Sequence, residues 1–295
     1  MVLTFYSMAA MMTSEQWKEW LRAPLEHAAA RGNTDLFTRL MDAGADGSAG
    51  WQGCSGRTLL GAAAHSGSEQ MVLALLKARA KPDLNIRFGA EEQSALHVAA
   101  AQGAGVVSTA LMLAGAHANS RDGKKRIPLH VAAEAAEGTH LSAVEELLAA
   151  GANVDIRCSG GRPVLDVAAH KAYEGVLRAL LRHGCDIKAC DVYGSTVLHY
   201  IAAAVTLGCV RDHSGVFRAL LEAGADTEAR TTMNYYHTPL HTAVSHQSAA
   251  CDIILALLDG GADVNALSES AMTPLHLACA HSSVAGVELL LRWGA

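Results

Sequence analysis

Near its C-terminal end the chain reads Gly261-Ala262-Asp263-Val264-Asn265 and then Thr273-Pro274-Leu275-His276-Leu277-Ala278, and both phrases recur in weaker form back to residue 23. The second phrase has seven earlier counterparts, centred on Leu25, Leu60, Leu96, Leu129, Leu165, Leu198 and Leu240. With Leu275, successive spacings are 35, 36, 33, 36, 33, 42 and 35 residues. Each copy is followed by a Leu-rich stretch that ends in Gly-Ala or an equivalent, such as Gly44-Ala45, Gly115-Ala116, Gly151-Ala152, Gly184-Cys185 and Gly224-Ala225. The basic interval from leucine to landmark is 19 residues, and the shortest return to the next leucine is 14, which sets a period of 33. Self-similarity at a fixed period of this size is the signature of a repeat architecture.

Elementary chemistry says what one copy folds into. Thr or Ser at the head of the phrase offers an N-cap oxygen. Proline in the first helical turn loses no bond, because its missing N–H would be unpaired there anyway. Leu followed by Ala-Ala puts small side chains on the packed face. The second segment carries leucines at helical spacing, as in Val144, Leu147 and Leu148. Its closing Gly accepts the left-handed backbone of a C-cap. Each unit is thus a helix-turn-helix too thin to bury its own apolar face, and stacking neighbours buries a continuous one. The fold class is all-α.

A 33-residue period with T-P-L-H-x-A and a closing Gly-Ala-Asp-Val-Asn resembles the ankyrin repeat. The resemblance covers residues 23–295, in eight copies starting near 23, 57, 93, 126, 162, 195, 237 and 272. It implies an ankyrin-repeat solenoid whose helix pairs are joined by β-hairpin-like fingers. It also implies that His97, His130, His199, His241 and His276, at one repeat position, hydrogen-bond backbone near a finger as structural parts. Residues 1–22 are expected to form a lead-in that caps the first repeat, with Thr13 and Gln16 at capping-box spacing ahead of Trp17 and Trp20. The last helix is apolar where a terminal repeat should be polar outside, so the array or a further domain is expected to continue beyond residue 295, or another chain to cover this end. Extra residues are expected within repeats 4, 6 and 7 and in the fingers before repeats 2, 3 and 7. Arg79 stands where repeat 2 should have its C-cap glycine.

Composition narrows the function. Of 295 residues, 51% are hydrophobic but only 5% aromatic, with 56 Ala and 36 Leu. Eighteen per cent are charged, which excludes a disordered polymer. No apolar run reaches the roughly 18 residues of a membrane span. A net charge of −6 gives no footprint for nucleic acid. Seven scattered cysteines do not make a disulfide framework, and they fit a reducing, intracellular compartment, cytoplasmic or nuclear.

Several constellations imitate chemistry. His237, His241 and His246 lie close together, but His241 is a repeat-position residue. Cys185 and Cys190 lack the second pair a zinc finger needs. Gly103-Ala104-Gly105 lacks the third glycine and the preceding strand of a dinucleotide loop. No catalytic, metal or cofactor site is expected, and the chain is not expected to be an enzyme.

What varies between copies sits in the fingers. Arg121, Lys124, Lys125 and Arg126 form the one concentrated basic patch, with Lys125 in the place of the usual finger glycine. They are either a solvated hairpin tip or a contact for an acidic partner, and Glu91 and Glu92 would balance them one repeat earlier. The scarce rings Trp51, Phe88, Tyr193, Tyr235 and Tyr236 all fall in fingers. They either cover the neighbouring finger or anchor a partner, large aromatics being typical anchors. The leading reading is a monomeric, non-catalytic scaffold that binds another protein on the concave finger and first-helix surface. The alternative is the substrate-recognition arm of a larger enzyme or ubiquitin-ligase adaptor.

Overall fold

The computed structural model describes residues 13–47, 58–77, 83–135, 140–206, 213–233, 236–245 and 251–295. Trp51, Tyr235, His246 and Arg79 lie outside them, as do most of the expected insertions. Two compact units are formed, Met1–Ala152 and Asn153–Ala295. Sixteen helices are described, and in place of strands the described residues form only isolated bridges.

Unit one holds four helix pairs. They are α1 (Ser14–Ala30) with α2 (Thr34–Asp42), α3 (Leu59–Ser66) with α4 (Glu69–Lys77), α5 (Ala95–Ala101) with α6 (Gly105–Leu113), and α7 (Pro128–Ala135) with α8 (Leu141–Ala149). Unit two holds α9 (Val164–His170) with α10 (Glu174–Arg182), α11 (Val197–Thr206) with α12 (Ser214–Glu222), α13 (Pro239–Val244) with α14 (Cys251–Asp259), and α15 (Pro274–Ala280) with α16 (Val284–Arg292). Within each unit, first helices pack on first helices and second helices on second helices. The alanine pairs make this approach possible. Ala63, Ala64, Ala99, Ala100, Ala132 and Ala133 in unit one are fully buried, as are Ala168, Ala169 and Ala202 in unit two. The second-helix layer is filled by larger groups, among them Leu75, Leu111 and Leu147, and in unit two Leu177, Phe217 and Leu257.

Glycine closes the second helices as the sequence requires. Gly44, Gly115, Gly151, Gly184, Gly224, Gly261 and Gly294 all have φ between 74° and 105°.

One boundary differs from the sequence reading. The Thr13–Gln16 capping box forms, but the helix it starts does not stop before the first repeat. It runs through Pro24 to Ala30, so the lead-in and the first repeat helix are one element. Trp17 fixes this helix to its partner by donating its indole N–H to the Ala43 carbonyl at 2.9 Å. Its ring also stacks on Trp20 at 5.7 Å.

Candidate partner-docking site

The fingers are held by the repeat-position histidines. In His97 the Nδ1 accepts from the Ser94 amide at 3.2 Å and lies 2.8 Å from its hydroxyl, while Nε2 reaches the Arg126 carbonyl at 3.0 Å. His199 repeats this with Thr196 and the His237 carbonyl, and His241 with Thr238 and the Met272 carbonyl. An Nδ1 that accepts an amide proton leaves Nε2 to carry the ring hydrogen and donate it. Each ring therefore ties the head of one helix to the closing residue of the next finger. Burial pushes His97 and His241 below the ordinary histidine value and His199 down to about 4, so these rings are neutral. His276 makes the same bonds to Thr273 and is exposed. His130 follows Ile127, which has no hydroxyl to offer.

Three copies lack this histidine, with Glu26, Gly61 and Asp166 in its place, and the last two departures are informative. Repeat 2 has Gly61 at the histidine position, and a Cβ there would come within 2.2 Å of the Phe88 ring. Phe88 is 5% exposed. It fills the space the histidine leaves, so it is a core residue and not the surface anchor its finger position implied. Repeat 5 has Asp166 there, fully buried, with neither carboxylate oxygen hydrogen-bonded among the described residues. Its i−3 neighbour is Pro163, which has neither an amide hydrogen nor a hydroxyl. Burial drives the Asp166 carboxyl well above the ordinary aspartate value, opposed by the nearby Arg162 charge.

In unit one the basic finger closes on itself. Asp122, 3% exposed, accepts from the Lys124 and Arg126 amides at 2.9 and 2.8 Å and pairs with the Arg126 guanidinium at 2.8 Å. Arg126 also meets Glu134 at 2.6 Å and Glu91 at 3.4 Å. Lys124 meets Glu91 at 2.8 Å, and Arg87 meets Glu92 at 3.2 Å. Glu91 thus neutralises the patch from one repeat earlier. Arg126 is consumed inside the finger, which corrects its reading as a partner contact. Arg121 and Lys125 remain exposed.

Unit two is built on the same frame with different tips. Asp191 stands where Asp122 stands. Its Oδ1 accepts from the Tyr193 and Ser195 amides, both at 2.8 Å, and its Oδ2 from the Tyr200 hydroxyl at 2.7 Å. Arg162 lies 4.9 Å above the Tyr200 ring. The Tyr193 carbonyl accepts the Thr232 amide at 2.7 Å, which joins successive fingers. The tips are apolar and open: Val192 is 60% exposed, Tyr193 50%, Met233 70% and Tyr236 45%. Of these, Tyr193 lines a cleft of about 730 Å³, together with Tyr200, His199, His237, Met272 and Leu277 among others. The His237 ring stacks on His241 at 5.3 Å along its wall.

Of the sequence-marked residues, the structure leaves Tyr193 and Tyr236 exposed on neighbouring fingers of unit two, and Tyr193 lines the cleft. Trp51 and Tyr235 lie outside the described residues. Val192 and Met233 were missed because only rings were sought. Their signal was a large aliphatic side chain beside a finger turn.

The family description "Ankyrin repeats (3 copies)" matches residues 25–122, 96–191, 129–231, 175–267 and 205–295, the whole chain from residue 25 onward. The chain belongs to the ankyrin-repeat family. Ankyrin repeats are protein–protein interaction modules and are typically non-catalytic. The chain is 32% identical over 163 residues to the nuclear factor NF-kappa-B p105 subunit of Gallus gallus. That is 54% of this chain and 15% of that protein. It is 34% identical over 112 residues to neurogenic locus notch homolog protein 2 of Homo sapiens, and equally to that of Mus musculus, 38% of this chain and 4% of each relative. The ankyrin array here therefore spans only a small part of the curated relatives it matches. No helix among the described residues is long and apolar enough to cross a membrane.

Proposed function

We propose that this chain is a non-catalytic docking module whose unit-two cleft takes an apolar segment of a partner protein, with Tyr193 and Tyr236 as the principal anchors. One observation carries the reading: Tyr193 lines a cleft of about 730 Å³, and the two neighbouring fingers also leave Val192, Met233 and Tyr236 at least 45% exposed. Isolated exposed apolar residues are ordinary on a surface, but clustered ones rimmed by polar groups mark interaction sites.

The eight repeats starting near 23, 57, 93, 126, 162, 195, 237 and 272, preceded by a capping segment, act on this reading as a monomeric, intracellular scaffold. Docking needs little reorganisation, because the histidine bonds already fix the fingers. A second reading makes the array the recognition arm of a larger protein, and it is favoured by the small share of each relative that the match covers.

The test is affinity capture with the wild-type chain, identification of the retained protein, and titration of that purified protein against Tyr193→Ala/Tyr236→Ala. Loss of about tenfold or more in affinity, with an unchanged thermal midpoint, supports the anchors. Unchanged affinity in a folded double variant rejects them.

A further inference from the structure

A second surface lies in unit one, on the second-helix side. Helix α6 has the sequence Gly105-Val106-Val107-Ser108-Thr109-Ala110-Leu111-Met112-Leu113 and is the one second helix with no charged residue. Its Leu113 stands two residues before the C-cap glycine. That position holds Asp42, Lys77, Arg182, Glu222, Asp259 and Arg292 in other repeats, and Ala149 in the next one. Val106 is 60% exposed and Leu113 85%. With Ala110 between them they follow i, i+4, i+7 spacing and make one outward stripe. The helix still buries Val107, Ser108 and Leu111 inward, so it is apolar on both sides.

Beside the stripe a cleft of about 390 Å³ opens between α6 and α8, lined by Met112, Leu113, Ala116, Ala149 and the Glu146 side chain. Glu146 accepts the Thr109 hydroxyl at 2.9 Å and is in no ion pair among the described residues. Glu145 is exposed next to it on α8. An apolar stripe about 10 Å long, set by the helical rise over seven residues, is thus bordered by carboxylates.

The charges select the occupant. A second copy of this face would set carboxylate against carboxylate, on a chain already at net −6. An anionic lipid surface would be repelled in the same way. A helix that carries leucine-like residues on one side and lysine or arginine at its edge satisfies both features, as amphipathic helices do in apolar grooves. We propose that this face docks a basic amphipathic helix of a partner protein, with its apolar side over Val106 and Leu113 and a cation on Glu146.

The probe is a synthetic 18-residue amphipathic helix of Leu and Lys, with a Leu/Glu twin of identical apolar face, titrated against the full chain by fluorescence anisotropy. The expected result is binding of the Lys peptide and about tenfold or greater preference over its twin. Leu113→Glu should weaken that binding by a similar factor, and its exposure makes the change safe for the fold. Glu145→Lys/Glu146→Lys should invert the preference between the peptides, while Tyr193→Ala/Tyr236→Ala should leave it unchanged. Equal binding of the two peptides overturns the proposal, and so does Leu113→Glu without effect. A dimer in sedimentation that Leu113→Glu dissolves, or flotation with phosphatidylserine vesicles that it abolishes, would assign the face to another occupant and also overturn it.

Discussion

The two finger sets are made on one frame and finished in opposite ways. In unit one Asp122 closes a turn whose Lys124 and Arg126 are paired at home, by Asp122 itself, Glu91 and Glu134. In unit two Asp191 closes the equivalent turn, yet the tips beyond it are Val192, Tyr193, Met233 and Tyr236, open to solvent. Among the described residues, the ring that unit one places in a finger, Phe88, is turned inward over Gly61. A repeat fold specifies where the finger goes and leaves its tip free. The difference is therefore chemical: one set is finished as a folded surface, the other keeps apolar area uncovered.

The largest expected effect separates the two kinds of ring. Phe88→Ala opens a cavity in a core site and should cost about 3–5 kcal/mol in urea unfolding. Tyr193→Ala removes a half-exposed ring and should stay within about 0.5 kcal/mol. Equal costs would erase the distinction between core and docking rings. The histidine bonds come next. His199 is held neutral, with its pKa lowered from 6.5 to about 4. The folded state therefore binds fewer protons than the unfolded chain between those values. Stability is full above pH 6.5 and falls as the pH drops toward 4, by about 3 kcal/mol from this residue alone. Unfolding midpoints measured across that range should shift less in His199→Gln than in the wild type.

Asp166 titrates in the other sense. Its folded value is raised, so the folded state holds a proton that the unfolded chain releases near the ordinary aspartate value of 3.8. Its cost is absent below that pH and grows as the pH rises. Asp166→Asn should match the wild type in acid and exceed it at pH 7, by about 1–3 kcal/mol. A constant difference across pH would mean that charge is not the cause. The smallest effect compares two left-handed positions. Lys125 has φ +59° and Tyr236 +55°. Lys125→Gly and Tyr236→Gly should each stabilise by about 1 kcal/mol, while only Tyr236→Gly should lose partner affinity.

The repeat register and the helix pairs were legible because they depend on local spacing: the leucine of Leu275 recurs in every copy and the glycine of Gly261 in all but repeat 2. The inward turn of Phe88 was not legible from its own finger. It depends on Gly61, one repeat away, where the missing histidine left room. The self-neutralised basic patch was half legible, since Glu91 and Glu92 were seen as its balance, but the depth of Arg126 depends on Glu134 in the following helix. The continuity of α1 through Pro24 was missed because proline in the other copies starts a helix. Asp166 could have been found beforehand, since Pro163 removes both the amide and the hydroxyl that this position uses elsewhere.

The most direct test of the central claim is a single titration series with one captured, purified partner. It would compare the wild type, Tyr193→Ala/Tyr236→Ala in unit two, and Arg121→Ala/Lys125→Ala in unit one. The account predicts that the unit-two pair loses about tenfold or more in affinity, while the unit-one pair stays within about twofold and shows the same salt dependence as the wild type. Loss confined to the unit-one pair, with the tyrosine variant binding as the wild type does, would contradict it.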